Sequence, residues 1–299
     1  MNFIDAFIKK HPTRTIVVGN NKRSYLVGGK GATALFILPG SGQDALSCFD
    51  LIDAFETKYK VIAINYDHLR KMQEFYDYVN VILKTEHIKT LYLYGLSVGG
   101  FLAQHYVRQY KDNVSKVIIS HAGTTRSKTI INKVAIPGKI LHFFLPIIPI
   151  TLFRNLLTKI EGRVQSGQKD IKKLYSKYAT REYLERRMQL FKKTGVNFLT
   201  RDYIESIYHL GIDMEKKEKH FTSRDLSDWK GKLLIIRTDN DPLAQDDGVF
   251  KRYYPTARVI SFNETGHLTP FYKKPTPSRD GVLCGLQTVR TVCPASLFP

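Results

Sequence analysis

The chain has 299 residues, of which 46 are Lys or Arg and 27 are Asp or Glu, so its net charge is +19. Hydrophobic residues make up 43 % and charged residues 24 % of the sequence, which indicates a folded globular protein and excludes a disordered one. This length accommodates one large α/β domain with an insertion, or two small domains. No long apolar run follows basic residues at the N-terminus, so we expect no secretion signal.

The positive charge is concentrated in residues 122–228, where 21 basic residues stand against 11 acidic ones. A basic surface attracts nucleic acid, anionic lipid or an acidic substrate. The lysines are interleaved with acidic and aromatic residues, and no nucleic-acid-binding motif occurs, so we expect no nucleic-acid partner. Weak contact of this basic region with an anionic membrane surface stays open as an alternative.

The cysteines and histidines indicate neither disulfides nor a metal. Cys48, Cys284 and Cys293 have no metal-site spacing and suit a reducing compartment, so we expect a cytoplasmic protein. The nine histidines also lack a ligand spacing, and no G-x-G-x-x-G follows an early strand. We therefore expect no metal or other cofactor. Cys48 falls within a predicted helix, which favours a core position over a nucleophilic role.

Strand and helix patterns alternate along most of the chain. Two short strands, 15–18 and 24–27, predict an antiparallel hairpin. Continuous apolar runs predict buried strands at 34–38, 60–64, 90–94, 114–120, 232–237 and 258–262. Helical spacing predicts helices at 44–56, 70–87, 101–110 and 245–253. This alternation predicts a mostly parallel sheet with helices on both faces and functional loops at the carboxyl ends of its strands.

Residues 124–228 interrupt this alternation, because they contain no buried-strand pattern. Helical spacing occurs there at 128–134, 138–160, 167–178, 180–193, 197–210 and 213–220. Such a segment is too long for a loop and predicts a helical cap over the functional edge of the sheet. We therefore predict a core of residues 1–121 and 229–272 and a cap of residues 122–228.

The cap contains one apolar stretch, ILHFFLPIIPITLF at residues 140–153, which carries no formal charge. It is too short for a comfortable membrane span, and Pro146 and Pro149 interrupt it. Three interpretations remain open: a buried, kinked pair of helices, an apolar wall over the active site, or a lid that touches a membrane. Under the second, Phe143 and Phe144 are candidate substrate-pocket residues.

The turn GLSVG at residues 95–99 joins a predicted strand to a predicted helix. Its serine, Ser97, would stand above the sheet at a helix N-terminus, which favours negative charge. The glycines leave room for two chain segments to approach closely. A bare G-x-S-x-G also occurs by chance, but the strand–turn–helix context favours a nucleophile.

Acyl transfer by a serine also requires a base, a group that orients the base, and hydrogen-bond donors for the oxyanion. His267 follows the last predicted strand and is the candidate base, although it could be an ordinary loop histidine. Asp241 follows strand 232–237 and is the preferred acid. Asp239 is the alternative acid, or it caps the following turn.

The candidate oxyanion donors are backbone N–H groups. One belongs to Val98, directly after the serine, and the other to Ser41 in the loop after strand 34–38, with Gly42 as its alternative. Gly40, Gly42 and His121 are candidate pocket residues at the same edge. A neutral, hydrogen-bonded histidine is the alternative interpretation of His121.

Four motifs together, ILPGSG, GLSVGG, RTDNDPLA and ETGH, resemble the α/β-hydrolase superfamily over residues 15–272. The resemblance implies the α/β-hydrolase fold: an eight-stranded sheet, a cap after the sixth strand, and triad roles for Ser97, Asp241 and His267. Within the superfamily, residues 33–121 are similar to the maspardin-like branch.

The sequence departs from the superfamily pattern in three places. Pro39 stands where many members have histidine in the oxyanion loop, and Thr238 stands where many have glycine. After His267 the family expects a helix that packs on the sheet, but residues 273–299 contain several prolines and no sustained amphipathic period. We predict that this tail is poorly ordered and that activity is impaired if the loop of His267 loses support.

The expected function is that of a serine hydrolase that cleaves a small apolar ester or thioester through an acyl-enzyme. The apolar cap stretch is the reason to favour an apolar acyl group. The alternative is a non-catalytic protein that binds a ligand or another protein on the same scaffold.

Overall fold

The computed structural model describes residues 2–155, 180–241, 248–262, 267, 276–277 and 283–284. Eight strands form one sheet in the order β1-β2-β4-β3-β5-β6-β7-β8. Their bounds are β1 Arg14–Val18, β2 Asn21–Gly28, β3 Thr33–Leu38, β4 Lys60–Ile64, β5 Thr90–Leu96, β6 Val114–Ser120, β7 Lys232–Thr238 and β8 Arg258–Phe262. The β1–β2 hairpin and the β2–β4 pair are antiparallel, and all other pairs are parallel. The predicted mostly parallel sheet of the α/β-hydrolase fold is confirmed.

The α-helices whose two ends both lie in the described ranges are α1 Phe3–Lys10, α2 Phe49–Phe55, α3 Met72–Thr85, α4 Val98–Gln109, α5 Lys128–Ile130, α6 Ile136–Phe144, α7 Arg181–Thr194, α8 Arg201–Glu218 and α9 Val249–Tyr253. Helix α1 was not predicted. The helices predicted at 197–210 and 213–220 are one helix, α8, because an isolated Gly211 costs a helix only about 1 kcal/mol. The predicted helix over 167–178 lies outside the described residues, as does almost all of the tail 273–299.

Apolar side chains on the two faces of the sheet build two separate cores. Alternate residues of β3 point to opposite faces: Phe36 joins the cluster under α3, α4 and α8, while Ile37 joins the cluster under α1, α2 and α7. Helices α7 and α8, from the predicted cap, contribute Tyr183 and Leu210 to these clusters. Helices therefore cover both faces, as predicted, while the division into core and cap stays a prediction.

Of the three interpretations of residues 140–153, the buried and kinked pair of helices is wrong for most of the side chains. Ile140, Phe143 and Ile147 are 57 %, 73 % and 74 % exposed, whereas Leu145 and Phe153 are buried. The stretch packs on α8 along one side, and its remaining apolar surface is exposed, with no described residue covering it. Within the described ranges, none of the helices combines the length and apolar character that crossing a bilayer requires.

The turn between β5 and α4, which carries the predicted serine, has a strained backbone conformation and very close backbone contacts. Ser97 adopts φ 52° and ψ −117°, a conformation that non-glycine residues rarely take. A Cβ on Gly99 would lie 1.9 Å from the carbonyl oxygen of Leu38, and one on Gly95 would lie 2.3 Å from the oxygen of Gly99. Only glycine fits at these two positions.

A buried carboxylate, Glu86, ties together the antiparallel end of the sheet. It accepts hydrogen bonds from Arg14 on β1 at 2.6 Å, from the Tyr25 hydroxyl on β2 at 2.9 Å, and from Lys60 on β4 at 3.3 Å. Burial opposes its ionisation, but the hydrogen bonds from Arg14, Tyr25 and Lys60 outweigh burial and lower the pKa of Glu86. Burial, followed by the bond to Glu86, raises the pKa of Tyr25 to about 12.

We expect Glu86→Gln to lower the free energy of unfolding by about 1–3 kcal/mol at neutral pH, because two cations lose their carboxylate. The folded-state pKa lies below the unfolded value of about 4.3, so this stabilisation is complete above that value. It is lost as pH falls through the folded-state pKa. Urea unfolding at neutral and acidic pH measures both effects.

The matched control is Glu185→Gln, which removes an exposed carboxylate paired with Arg181 on α7. We expect it to change the free energy of unfolding by less than about 0.5 kcal/mol. Equal losses of unfolding free energy in the two variants would contradict the role of Glu86. So would a loss in Glu86→Gln that does not become smaller at acidic pH.

Gly99→Ala is expected to destabilise the fold by about 3 kcal/mol or more, because the new methyl group overlaps the backbone of β3. Gly211→Ala is the control, since no atom lies within 4 Å of a Cβ built there. It should leave stability unchanged or raise it by up to about 1 kcal/mol through helix propensity. Similar unfolding midpoints for the two variants would show that the close approach of α4 to β3 does not require glycine at position 99.

Candidate active site

Ser97 lies at the carboxyl end of β5 and directly before α4. Its N–H donates to the carbonyl oxygen of Ser120 at 2.9 Å, which joins the turn to the end of β6. The loop after β3 lies on its other side, where a Cβ on Gly40 would be 3.5 Å from the Cβ of Ser97. The side chain is partly exposed at this edge. The structure therefore brings the predicted serine and the predicted oxyanion loop together.

The loop after β3 is held by three hydrogen bonds. The Tyr66 hydroxyl donates to the carbonyl oxygen of Pro39 at 2.8 Å, and the Gly40 N–H donates to the Gln43 side chain at 3.2 Å. From α8, the Tyr203 hydroxyl donates to the Gln43 carbonyl oxygen at 3.1 Å. Sequence spacing contains no signal for the two tyrosines, since they lie 27 and 160 residues from the groups they bind.

Of the predicted oxyanion groups, Val98 directly follows the serine, and Ser41 directly follows Gly40, the residue of the loop after β3 that approaches the serine. Val98 is the first residue of α4, so its N–H belongs to the unpaired set at the helix N-terminus. Ser41 is exposed, and Gly42 has φ 74°. Because the Gly40 N–H is already bonded to Gln43, the N–H groups of Ser41 and Gly42 remain the two candidates from this loop.

A histidine–carboxylate pair lies at the ends of β7 and β8. The Nδ1 atom of His267 is 2.7 Å from Oδ2 of Asp241, and both side chains are buried. The N–H of Asp241 bonds to the carbonyl oxygen of Thr238, the last residue of β7. Asp239 is exposed, and its N–H donates to the Phe262 oxygen. The structure thus pairs His267 with Asp241, the preferred acid, and places Asp239 outside the pair.

The second ring nitrogen of His267 has a different environment. Nε2 is buried and has no hydrogen-bond partner among the described residues. Since Asp241 accepts a hydrogen bond from Nδ1–H, Nε2 of the neutral ring carries a lone pair and can accept a proton. No hydrogen bond joins it to Ser97 within the described part of the chain. Residues 263–266 and 268–275, on either side of His267, lie outside the described residues.

His121, a predicted pocket residue, lies beside this pair. Its ring centroid is 5.7 Å from that of His267. Nδ1 lies 2.9 Å from the Ser120 hydroxyl and Nε2 3.0 Å from the Thr238 hydroxyl. Burial lowers the pKa of His121 to about 3; Asp241 opposes the decrease and His267 adds to it. His121 is therefore neutral at pH 7, and it joins the end of β6 to the end of β7.

Three other candidate residues lie elsewhere. Phe143 and Phe144 are exposed on α6 and contact each other at a ring distance of 5.2 Å, and no described contact brings them to Ser97. Cys48 is buried, and burial raises its thiol pKa, so its predicted core position is confirmed. Across the described ranges, no group of His, Cys, Asp and Glu side chains is placed to hold a metal ion.

One cleft is lined in part by Arg237, Phe250 and Val259, and it contains neither Ser97 nor His267. Because it lacks both candidate catalytic groups, we do not assign it to the reacting part of a substrate.

Solved structures share this fold at low sequence identity. A meta-cleavage product hydrolase from Pseudomonas fluorescens IP01 is 19 % identical with a TM-score of 0.58, over 86 % of this chain and 91 % of that chain. The epoxide hydrolase CorEH is 13 % identical with a TM-score of 0.62, over 97 % and 100 %. A thermophilic esterase from Thermogutta terrifontis is 12 % identical with a TM-score of 0.58, over 88 % and 93 %. At these identities the likeness establishes the fold alone.

Sequence comparison identifies the family. Curated protein sequences give no match to this chain, and the similarity to the maspardin-like branch stays a prediction. A family sequence model described as alpha/beta hydrolase fold matches residues 33–274, which is most of the chain. This match includes β3 to β8, Ser97, Asp241 and His267. The chain therefore belongs to the α/β-hydrolase fold family.

Proposed function

We propose that the protein is a serine hydrolase that cleaves an ester or thioester of an apolar acyl group through Ser97, His267 and Asp241. The observation that carries the proposal is the 2.7 Å contact between His267 and Asp241, together with the Nε2 atom of His267, which has no hydrogen-bond partner among the described residues. A histidine base that is oriented by a buried carboxylate acts on a group that gives its proton to the other ring nitrogen. Ser97, on its strained turn at the same sheet edge, supplies that group.

In the first step, the Ser97 hydroxyl oxygen attacks the carbonyl carbon of the substrate, and Nε2 of His267 accepts the hydroxyl proton. Asp241 accepts a hydrogen bond from Nδ1–H throughout the step and stabilises the imidazolium that forms. Collapse of the tetrahedral intermediate breaks the bond to the alcohol or thiol. The leaving group takes the proton from His267, and the acyl group stays on Ser97.

The negative charge on the carbonyl oxygen needs donors that are in place before the reaction. The Val98 N–H at the start of α4 is one, and the Ser41 N–H is the other, with Gly42 as its alternative. In the second step, His267 takes a proton from water, and the resulting hydroxide attacks the acyl carbon. The bond from that carbon to the Ser97 oxygen then breaks, the serine oxygen takes the proton back from His267, and the acid is released. Every step uses groups of the protein and water.

The choice of an apolar acyl group rests on the apolar residues of the helical region between β6 and β7. We propose that residues 122–228 form a cap over a core of residues 1–121 and 229–272. The contact of Tyr203 in α8 with the oxyanion loop supports this arrangement, because it places a cap helix against the edge that carries Ser97.

We expect Ser97→Ala to lower the rate of p-nitrophenyl butyrate hydrolysis by about 10³-fold or more, because the nucleophile is lost. Ser115→Ala removes an exposed serine on β6 and is the matched control, with activity unchanged. Full turnover by Ser97→Ala would contradict the mechanism. A folded wild-type protein that turns over no short- or medium-chain p-nitrophenyl ester would favour the alternative, a non-catalytic binding protein.

The two aspartates after β7 give a second test. Asp241→Asn is expected to lower kcat by about 10³- to 10⁴-fold, because an amide cannot stabilise the imidazolium and favours the wrong tautomer of His267. Asp239 is exposed and its N–H donates to the carbonyl oxygen of Phe262, so Asp239→Asn should change kcat by less than about threefold. Steady-state kinetics on the two variants would identify Asp239 as the acid if this order were reversed.

A further inference from the structure

Helix α6 and the turn that follows it present a row of apolar side chains to solvent. The row contains Ile136, Ile140, Phe143, Phe144 and Ile147, and we call it the apolar face. Its members recur at spacings of three and four residues, so they lie along one side of a helix. All five are exposed, and a contiguous apolar surface of this kind usually marks a binding site for another molecule.

The opposite side of this segment is fixed to α8. The His142 ring stacks on the Tyr208 ring with centroids 3.8 Å apart, and Leu145 is buried. The Arg201 guanidinium donates to the carbonyl oxygen of Ile148 at 2.6 Å. These contacts hold the segment by its inner side. The apolar face therefore points outward as part of a defined arrangement.

All charged residues of the sequence segment that carries the apolar face are basic. Residues 113–160 contain no Asp or Glu. Four exposed basic residues precede the apolar face in sequence or lie between its first members: Arg126, Lys128, Lys133 and Lys139. Elsewhere in the same region, basic residues alternate with acidic ones: α7 pairs Arg181 with Glu185 within the helix, and Arg186 with Glu182. The stretch around α6 thus combines an apolar surface with basic residues alone. Two acidic residues of α8 lie near it and have partners of their own: Glu205 pairs with Arg70, and Glu218 accepts hydrogen bonds from Thr124 and Thr125.

We propose that the apolar face binds the surface of a lipid bilayer that contains anionic lipid, with α6 lying parallel to the bilayer plane. Isoleucine and phenylalanine side chains enter the boundary between headgroups and acyl chains, and the four flanking cations contact lipid phosphates. A second copy of the chain fits less well, because a symmetric contact brings the two sets of cations together. Nucleic acid would pair with the cations but leave the apolar face in water.

Co-sedimentation of the full chain with vesicles tests the proposal. We expect binding to vesicles of phosphatidylcholine and phosphatidylglycerol, weakening with salt, and binding to pure phosphatidylcholine at least about tenfold weaker. Phe143→Asp with Ile147→Asp should weaken binding to the anionic vesicles by about tenfold or more. Lys128→Gln with Lys139→Gln should weaken it for the anionic vesicles only.

The matched control is Val17→Asp with Val259→Asp, which makes the same charge change at exposed apolar residues of the edge strands β1 and β8. It should bind as the wild type does. Thermal unfolding midpoints confirm that each variant is folded, and the lysine variant gives an independent readout should an aspartate variant unfold.

Three results would overturn the proposal. The first is absence of wild-type binding to anionic vesicles. The second is equal binding by the Phe143→Asp/Ile147→Asp variant and the control, which would assign binding to the net charge alone. The third is a wild-type dimer in light scattering that the Phe143→Asp/Ile147→Asp variant converts to a monomer without any vesicle binding, which would identify the face as an interface between copies.

Discussion

The close approach of α4 to the end of β3 is the constraint on which the candidate site depends. A Cβ atom on Gly99 would overlap the carbonyl oxygen of Leu38. Because glycine has no Cβ, the two backbones can pack directly on each other. This contact holds Ser97 at its positive φ and sets the loop after β3 beside it. A larger residue would move α4 away from the sheet and separate Ser97 from the proposed oxyanion donors.

The second part of the candidate site, the pair of His267 and Asp241, is buried, and burial determines which charges it can hold. A carboxylate as deeply buried as Asp241 is costly unless it is hydrogen bonded, and His267 supplies the bond. His121 lies next to this pair, and because its pKa is about 3 it adds no positive charge there. In the proposed mechanism, the imidazolium on His267 therefore forms next to one negative group and one neutral group. The ends of β6, β7 and β8 supply these three side chains.

Local patterns were sufficient to predict the sheet and the choice of Asp241 over Asp239 as the partner of His267. Each buried strand is a continuous apolar run, and the preferred acid, Asp241, is the one that contacts His267. Long-range partners could not be predicted, because Tyr66 and Tyr203 reach the oxyanion loop only after folding. The sequence left three interpretations of residues 140–153 open, because hydrophobicity alone does not tell how much apolar surface the neighbouring helices can cover.

The central claim is that Ser97 is a nucleophile activated by His267. Reaction of the folded protein with a fluorophosphonate, followed by mass spectrometry of the intact chain and its peptides, tests this claim most directly. The account predicts one phosphonate per chain, located on Ser97, and slow labelling when His267 is replaced by alanine. Absence of labelling in the folded protein, or an adduct on another residue with Ser97 unmodified, would contradict it.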